Sequence, residues 1–350
     1  MNIFSAFILA GVASVSASAS WAADIDVTTL EKAARTEGQV NSVGMPDNWA
    51  NWKATWQQLT NQYAIKHTDT DMSSGEEIAK FANEGANATA DIGDVGFEFG
   101  PVAMARGVTL PYKPSTWNQI PDWAKEKDGN WAIAYTGTIA FLISSDVANP
   151  PTSWADLLKG HYKVSLNNVG SAAQSNAAVL AAAIANGGSE TNLRPGVEFF
   201  AKLAKQGRLL ANSATPATME KGEIQVTAMW DFNALNYRDA VGRSKFNVVI
   251  PTDGSVTSGY TTIINKYSPH PNAAKFAREY IFSDAGQINL AQGYARPIRF
   301  DHLTLPAEVK SKLLPSDAYR AARPINAQQW NTHAAMALSQ QWHELVAPNL

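Results

Sequence analysis

Short apolar runs alternate with amphipathic segments along most of this 350-residue chain, and that alternation limits what it can become. Runs at 39–43, 67–72, 90–95, 163–166, 226–230, 246–250 and 259–264 have strand composition. Most are followed by segments with helical spacing, such as Trp52, Trp56, Leu59 and Tyr63, which share one helical face. Helices are also expected over 24–38 with a Thr28 or Thr29 cap, and over 196–206, 271–282 and 284–293. Strands and helices in alternation predict βαβ units and an α/β fold with parallel sheets and some antiparallel crossing strands. Residues 131–144 are expected as two short strands around Thr136-Gly137-Thr138, and 251–258 as a turn-rich crossing. The tail from Leu305 is expected to be helical.

One of these units carries more chemistry than the others. Residues 226–237, VTAMWDFNALNY, read as strand, turn and helix. In an open α/β sheet the crevice at the carboxyl end of such a strand is where ligands bind. The turn offers Trp230, Asp231, Phe232 and Asn233, which combine a flat apolar surface, a charge and an amide. A buried aromatic pair beside a helix N-cap would use the same residues.

Other strand ends give further candidate ligand edges. Pro46, Asp47 and Asn48 occupy a loop before the Trp52 helix. Ser73, Ser74 and Gly75 open a helix, and Gly170 and Ser171 open another. Hydroxyls and free N–H groups at a helix start suit an anionic or carbonyl group, although such serines also serve as plain caps. Phe97 and Glu98 follow the 90–95 strand, Thr136 and Gly137 lie between the two expected strands, and Tyr260 lies on the 259–264 strand.

Composition removes several function classes. The formal net charge of −3 gives no reason to expect nucleic acid or an anionic membrane surface. The chain has no cysteine, so thiol catalysis, disulfides and Cys-ligated metals are excluded, which suits an exported bacterial protein. His67, His161, His270, His302, His333 and His343 show no metal-ligand spacing and read as surface or capping residues. No G-x-S-x-G and no paired carboxylates at an identifiable spacing are present, so no catalytic residue and no cofactor is expected. Residues 3–12 are apolar and uncharged, small residues follow up to Ala23, and the first charge is Asp24. This reads as a secretory signal over 1–23, cleaved near Ala19 to Ala23, with a periplasmic destination. The run is shorter than the ~20 residues a membrane span needs.

Several motifs occur together in one order: SSGEEIAKFANEG, ADIGDV, MARGVTLPY, Trp131 through Trp154-Ala155-Asp156-Leu157-Leu158, Pro251-Thr252-Asp253-Gly254 and NAAKFAREYIFSDAGQ. Over about residues 38–300 they resemble the bacterial extracellular solute-binding proteins of ABC importers, in the branch that takes ferric, polyamine, thiamine and phosphonate solutes. The resemblance implies a type 2 periplasmic binding protein: two Rossmann-like lobes joined by two extended crossings, near 139–144 and 250–258. It implies a first lobe of 24–140 plus 256–300, a second of 145–252, and a C-terminal helical segment, 301–350, packing on both. It also implies a hinged cleft for a small-molecule ligand, permease subunits as partners, and a monomer.

The ligand is left to the residues. Ferric-binding members carry adjacent tyrosines just after the strand at 226–230; here Trp230-Asp231-Phe232-Asn233 stands there and the first tyrosine is Tyr237. Since Fe³⁺ wants phenolate and carboxylate oxygens, this argues against iron. Two glycine-serine helix starts favour a small organic solute with a phosphate- or phosphonate-like group. The alternative is a polyamine or other ammonium, with Asp231 and Glu98 as counter-charges and Trp230, Phe97 and Phe99 as walls. An exported enzyme and a sensory ligand-binding module are the competing classes.

Overall fold

The protein is described from a computed structural model. It covers residues 26–350 apart from 48, 167, 171 and 331, and leaves aside the side chains of 332–336. The expected leader, Asn48, Ser171 and the His333 side chain therefore lie outside the described residues.

The first lobe opens with α1 (Val27–Glu37), β1 (Gln39–Val43), α2 (Trp52–Tyr63), β2 (Lys66–Thr70), α3 (Ser74–Glu84), β3 (Ile92–Gly96) and α4 (Phe99–Ala105). β4 (Trp131–Ser144) leads into the second lobe. That lobe holds α5 (Trp154–Lys159), β5 (Val164–Ser165), α6 (Ala173–Ala185), α7 (Arg194–Lys205), β6 (Leu209–Leu210), α8 (Pro216–Glu220), β7 (Val226–Trp230), α9 (Asp231–Val241) and β8 (Phe246–Val249). β9 (Ser255–Ile264) returns the chain to the first lobe, which is completed by α10 (Pro271–Phe282), α11 (Asp284–Gln292) and β10 (Arg296–Pro297). The tail contains α12 (Ala307–Lys310), β11 (Ala322–Pro324) and α13 (Thr332–Leu345).

The strands run in the order β2-β1-β3-β9-β4-β7-β5-β6, with β10 and β8 also on β4 and β11 on β9. Parallel pairs lie at the two ends of this order, and antiparallel pairs with β9 and β4 lie in the middle. This is the mixture the alternating pattern predicts. Three expectations are corrected. Residues 131–144 form one strand, because its first half pairs with β9, with one register shift between Ile133 and Tyr135, and its second half with β7 and β8. Every residue of it is buried, as suits a strand covered on both faces. Residues 255–258 already belong to β9, since Thr138 to Thr136 pair with Thr257 to Gly259. The tail is not purely helical: β11 joins the sheet in parallel with Ser255 to Thr257. A smaller correction concerns α1, whose cap is Asp26, accepting from Thr29 N–H at 3.2 Å.

The helices form where their apolar faces are needed. α2 buries Trp52, Thr55, Trp56 and Leu59, and the two indoles stack at 5.9 Å. His67 lies flat on Trp56 at 3.9 Å, and burial pushes its pKa down to about 3, so it packs as a neutral ring rather than capping a helix. In the second lobe Trp154 is fully buried. Its ring meets Phe141, Phe199 and Phe200 edge-on, and its indole N–H donates to the Gly254 carbonyl at 2.9 Å, just before the chain returns along β9. No helix among the described residues is long and apolar enough to cross a membrane.

Trp154→Ala removes this ring and leaves the Gly254 carbonyl without its donor. A loss of about 3–5 kcal/mol is expected, measured by denaturant unfolding. A change below about 1 kcal/mol would show that the second lobe does not depend on this anchor.

Candidate functional site

A cleft of about 750 Å³ opens between the lobes. On the first-lobe side it is lined by Gly44, Pro46 and Trp49 after β1, by Asp71 to Gly75 and Glu77 around the start of α3, and by Asp94, Glu98, Phe99, Pro101 and Val102 around β3 and α4. Tyr260 of β9 adds a ring. The second lobe brings Gly170, Ala172, Ala173 and Asn176 from the start of α6, and the tail brings Ala327 and Trp330.

Carboxylates dominate the chemistry of this lining. Asp94 is 3% exposed. Its Oδ2 accepts from the Tyr135 hydroxyl at 2.7 Å and from the Trp52 indole at 3.3 Å, while its Oδ1 is buried without a partner. Burial pushes its pKa up to about 8 against the pull of those two donors, with the nearby charge of Asp69 adding to the rise. Glu77 is 1% exposed and accepts from the Asp94 N–H at 3.1 Å. Burial raises its pKa well above the usual carboxylate range, and the Asp94 charge raises it further. Glu98 is partly buried, accepts only from its own backbone amide, and is also shifted upward by desolvation.

Backbone shape makes room for Glu77. A Cβ on Gly44 would sit 2.2 Å from Glu77 Oε1, and one on Gly93 would sit 2.4 Å from Oε2. Gly44 also has φ of +67°, a conformation that glycine adopts without strain. The carboxylate is thus seated between Gly44, just after β1, and Gly93 of β3, positions that tolerate no side chain.

Aromatic rings adjoin these acids. Tyr135 and Tyr260 stack at 5.3 Å, and Trp49 stands edge-on to Tyr260 at 5.5 Å and to Phe232 at 5.3 Å. The Trp49 indole donates to the Tyr135 hydroxyl at 2.7 Å, which donates in turn to Asp94. The polarised chain Trp49–Tyr135–Asp94 fixes the oxygen that is bonded and leaves the other buried without a partner.

Of the residues expected from sequence, Pro46, Ser73, Ser74, Gly75, Glu98, Gly170 and Tyr260 line this cleft. Asp47 and Asn233 line a separate cavity of about 630 Å³ with Phe232, Gly293 and Lys312. Five expected residues line neither cavity and have structural contacts. Phe97 is buried edge-on to Trp123 and Trp131. Thr136 and Gly137 are internal to β4, and a Cβ on Gly137 would meet Phe232 at 2.7 Å. Trp230 is 2% exposed. Asp231, at 1% exposure, accepts from Thr138 N–H at 2.9 Å and from the Tyr319 hydroxyl at 2.6 Å. Burial lifts its pKa to about 6. It ties α9 to β4 and to the tail. The seat for an anion at Ser73 is also taken: its N–H and hydroxyl both donate to Glu76, at 2.8 and 2.6 Å.

Phe99, expected as a wall for an ammonium solute, lines the cleft, whereas sequence reasoning passed over Glu77, Asp94 and Trp330. An acid inside the apolar run ADIGDV was a usable signal for Asp94. Glu77 shares a helical face with Ile78 and Phe81, but reads as an ordinary first-turn acid. Nothing local marks Trp330.

The family profile described as "Bacterial extracellular solute-binding protein" matches residues 87–331, and the chain belongs to that family. The sulfate-binding protein of Escherichia coli (strain K12) is 26% identical over 183 residues, covering 50% of this chain and 55% of the relative. The match thus spans about half the length of the curated relatives. Two solved structures share the fold: AfuA from Actinobacillus pleuropneumoniae with exogenous fructose-6-phosphate bound (TM-score 0.71, 14% identity, 88% of this chain and 98% of that one), and iron-bound HitA from Pseudomonas aeruginosa (0.69, 16%, 87% and 99%). The fold is that of the type 2 periplasmic binding proteins.

The raised carboxyls give a stability signature. A group whose folded pKa lies above its unfolded value holds its proton more tightly when folded. Its contribution is complete below about pH 4, the unfolded value, and is lost as pH rises through about 8 for Asp94. Ligand-free protein should therefore lose stability on going from about pH 5 to about pH 9. Asp94→Asn should flatten that slope, and adding Glu77→Gln should flatten it further. A slope unchanged in the double variant, read by urea unfolding at each pH, would contradict the assignment.

Proposed function

We propose that this chain is the substrate-binding component of an ABC importer, exported to the periplasm, and that its cleft captures a solute presenting an ammonium group. The observation that carries the ligand class is the lining itself: Asp71, Glu77, Asp94 and Glu98 enter the cleft, and among the described residues no lysine, arginine or histidine does. Trp49, Phe99, Tyr260 and Trp330 supply π faces, which attract a cation beyond their apolar contact. The unpartnered Asp94 Oδ1 calls for an N–H donor, so a primary or secondary amine fits better than a quaternary one.

The phosphate- or phosphonate-like solute favoured by the glycine-serine helix starts has weaker support. One anion about 4 Å from one ionised carboxylate is disfavoured by about 4 kcal/mol at an effective dielectric near 20, roughly a thousandfold in affinity. The two lobes are taken as 24–140 plus 256–300 and 145–252, with 301–350 packed on both, the protein acting as a monomer that hands its solute to permease subunits. We take the chain to bind its solute without catalysis, as suits a solute-binding family.

A thermal-shift panel tests the ligand class. Putrescine, spermidine and 4-aminobutyrate stand against sulfate, fructose 6-phosphate and Fe³⁺. An amine at a hundred times its Kd should stabilise by about 2.7 kcal/mol, and Glu98→Gln should weaken it about tenfold, or 1.4 kcal/mol. Stabilisation by an anion or by Fe³⁺ with no response to any amine would overturn the ammonium reading.

A further inference from the structure

We propose that the carboxyl-terminal segment is a fixed wall of the ligand cleft and that Trp330, with Ala327, sets the size of solute it accepts. The proposal rests on the reading of this cleft as the ligand site.

Neither residue belongs to the lobes' alternating strands and helices, yet both line the cleft. The segment is held at its start by the sheet. β11 pairs with Ser255 to Thr257 of β9, and Ile325 N–H donates to Thr257 O at 2.9 Å. Three residues further along β9 is Tyr260, itself a cleft residue. A second fastening reaches the second lobe. The Arg323 guanidinium forks onto both oxygens of Glu190 at 2.7 and 2.8 Å, and Asn326 N–H donates to the same carboxylate at 2.9 Å. Glu190 is 2% exposed while the Arg323 side chain reaches it from the surface, and the bidentate geometry makes the contact directional. From that anchor the chain turns once, with Trp330 N–H donating to Asn326 O at 2.8 Å.

The indole of Trp330 is 6% exposed and packs into the main core. A ring held by core contacts on the protein side does not reorient freely when a ligand arrives. Gly170, Ala172 and Ala173 line the same cleft, and all are too small to fill the space left if the indole were removed. Behind them the tail leaves no slack, since a Cβ on Gly170 would lie 2.7 Å from the Ser339 Cβ. A preorganised wall facing small residues discriminates by clash: it accepts what fits and rejects what is longer or wider.

Calorimetric titration of Trp330→Ala, Trp330→Phe and Ala327→Leu tests this with two probe series, α,ω-diaminoalkanes of increasing length and sugar monophosphates of increasing size. In whichever series binds the wild type, Trp330→Ala should weaken the best probe at least tenfold and move the optimum to a larger member, and Trp330→Phe should restore most of the original ranking. Ala327→Leu, which adds bulk without cutting into the core, should move the optimum to a smaller member, so the proposal does not depend on how well the alanine variant folds. Variants that weaken all members equally, or leave the ranking unchanged, would overturn the role of Trp330. Wild-type binding of phosphates but not amines would instead overturn the ammonium reading, and the same variants on the phosphate series would still decide the wall. Binding of neither series by the wild type would count against both.

Discussion

One strand, Trp131–Ser144, is shared by both lobes, and most of the functional geometry hangs on it. Its first half is in register with Ser258 to Ile263 of the returning strand, and its second half with Val226 to Trp230. At its centre Thr138 N–H holds the Asp231 carboxylate. Three residues earlier Tyr135 holds the bonded oxygen of Asp94. The same backbone therefore sets how the lobes meet and which oxygen of the buried Asp94 stays unpaired. A kink or break in this strand would disturb both at once.

Among the described residues the cleft gathers four acids and no base, and two of the acids, Glu77 and Asp94, are buried. Such a concentration of like charge is tolerated because the buried members keep their protons when the cleft is empty. Asp94, with its pKa near 8, and Glu77, raised further than the usual range by burial and by Asp94, illustrate the compromise. A cation entering this site would favour the ionised forms, so binding and deprotonation are coupled. The related folds carry names that refer to sulfate, a sugar phosphate and iron. The ligand is therefore a property of the few residues lining the cleft, not of the two-lobed frame.

Much of that frame was legible in the sequence because its signals are local. The helical face of Trp52, Trp56 and Leu59 and the strand-to-helix change at Trp230–Asp231 follow from periodicity and composition, and both elements form where expected. Asp231 was misread for a reason of a different kind. Its environment is set by Thr138 and by Tyr319, 93 and 88 residues away in sequence, and no local pattern reveals that a carboxylate at a strand end turns inward. The same holds for Trp330, which reaches the cleft only because Arg323 finds Glu190 across 133 residues. Ser73 illustrates the opposite case: the capping pattern was visible, and the structure uses it as a cap.

The claim that most depends on these observations is that a cation occupies the cleft by displacing a proton from its buried acids. Titrating the binding amine by calorimetry at about pH 7, in buffers that differ in ionisation enthalpy, counts those protons directly. The account predicts a net release of up to about one proton per bound amine, falling toward zero in Asp94→Asn. No buffer dependence in the wild-type protein, or a net uptake of protons, would contradict it.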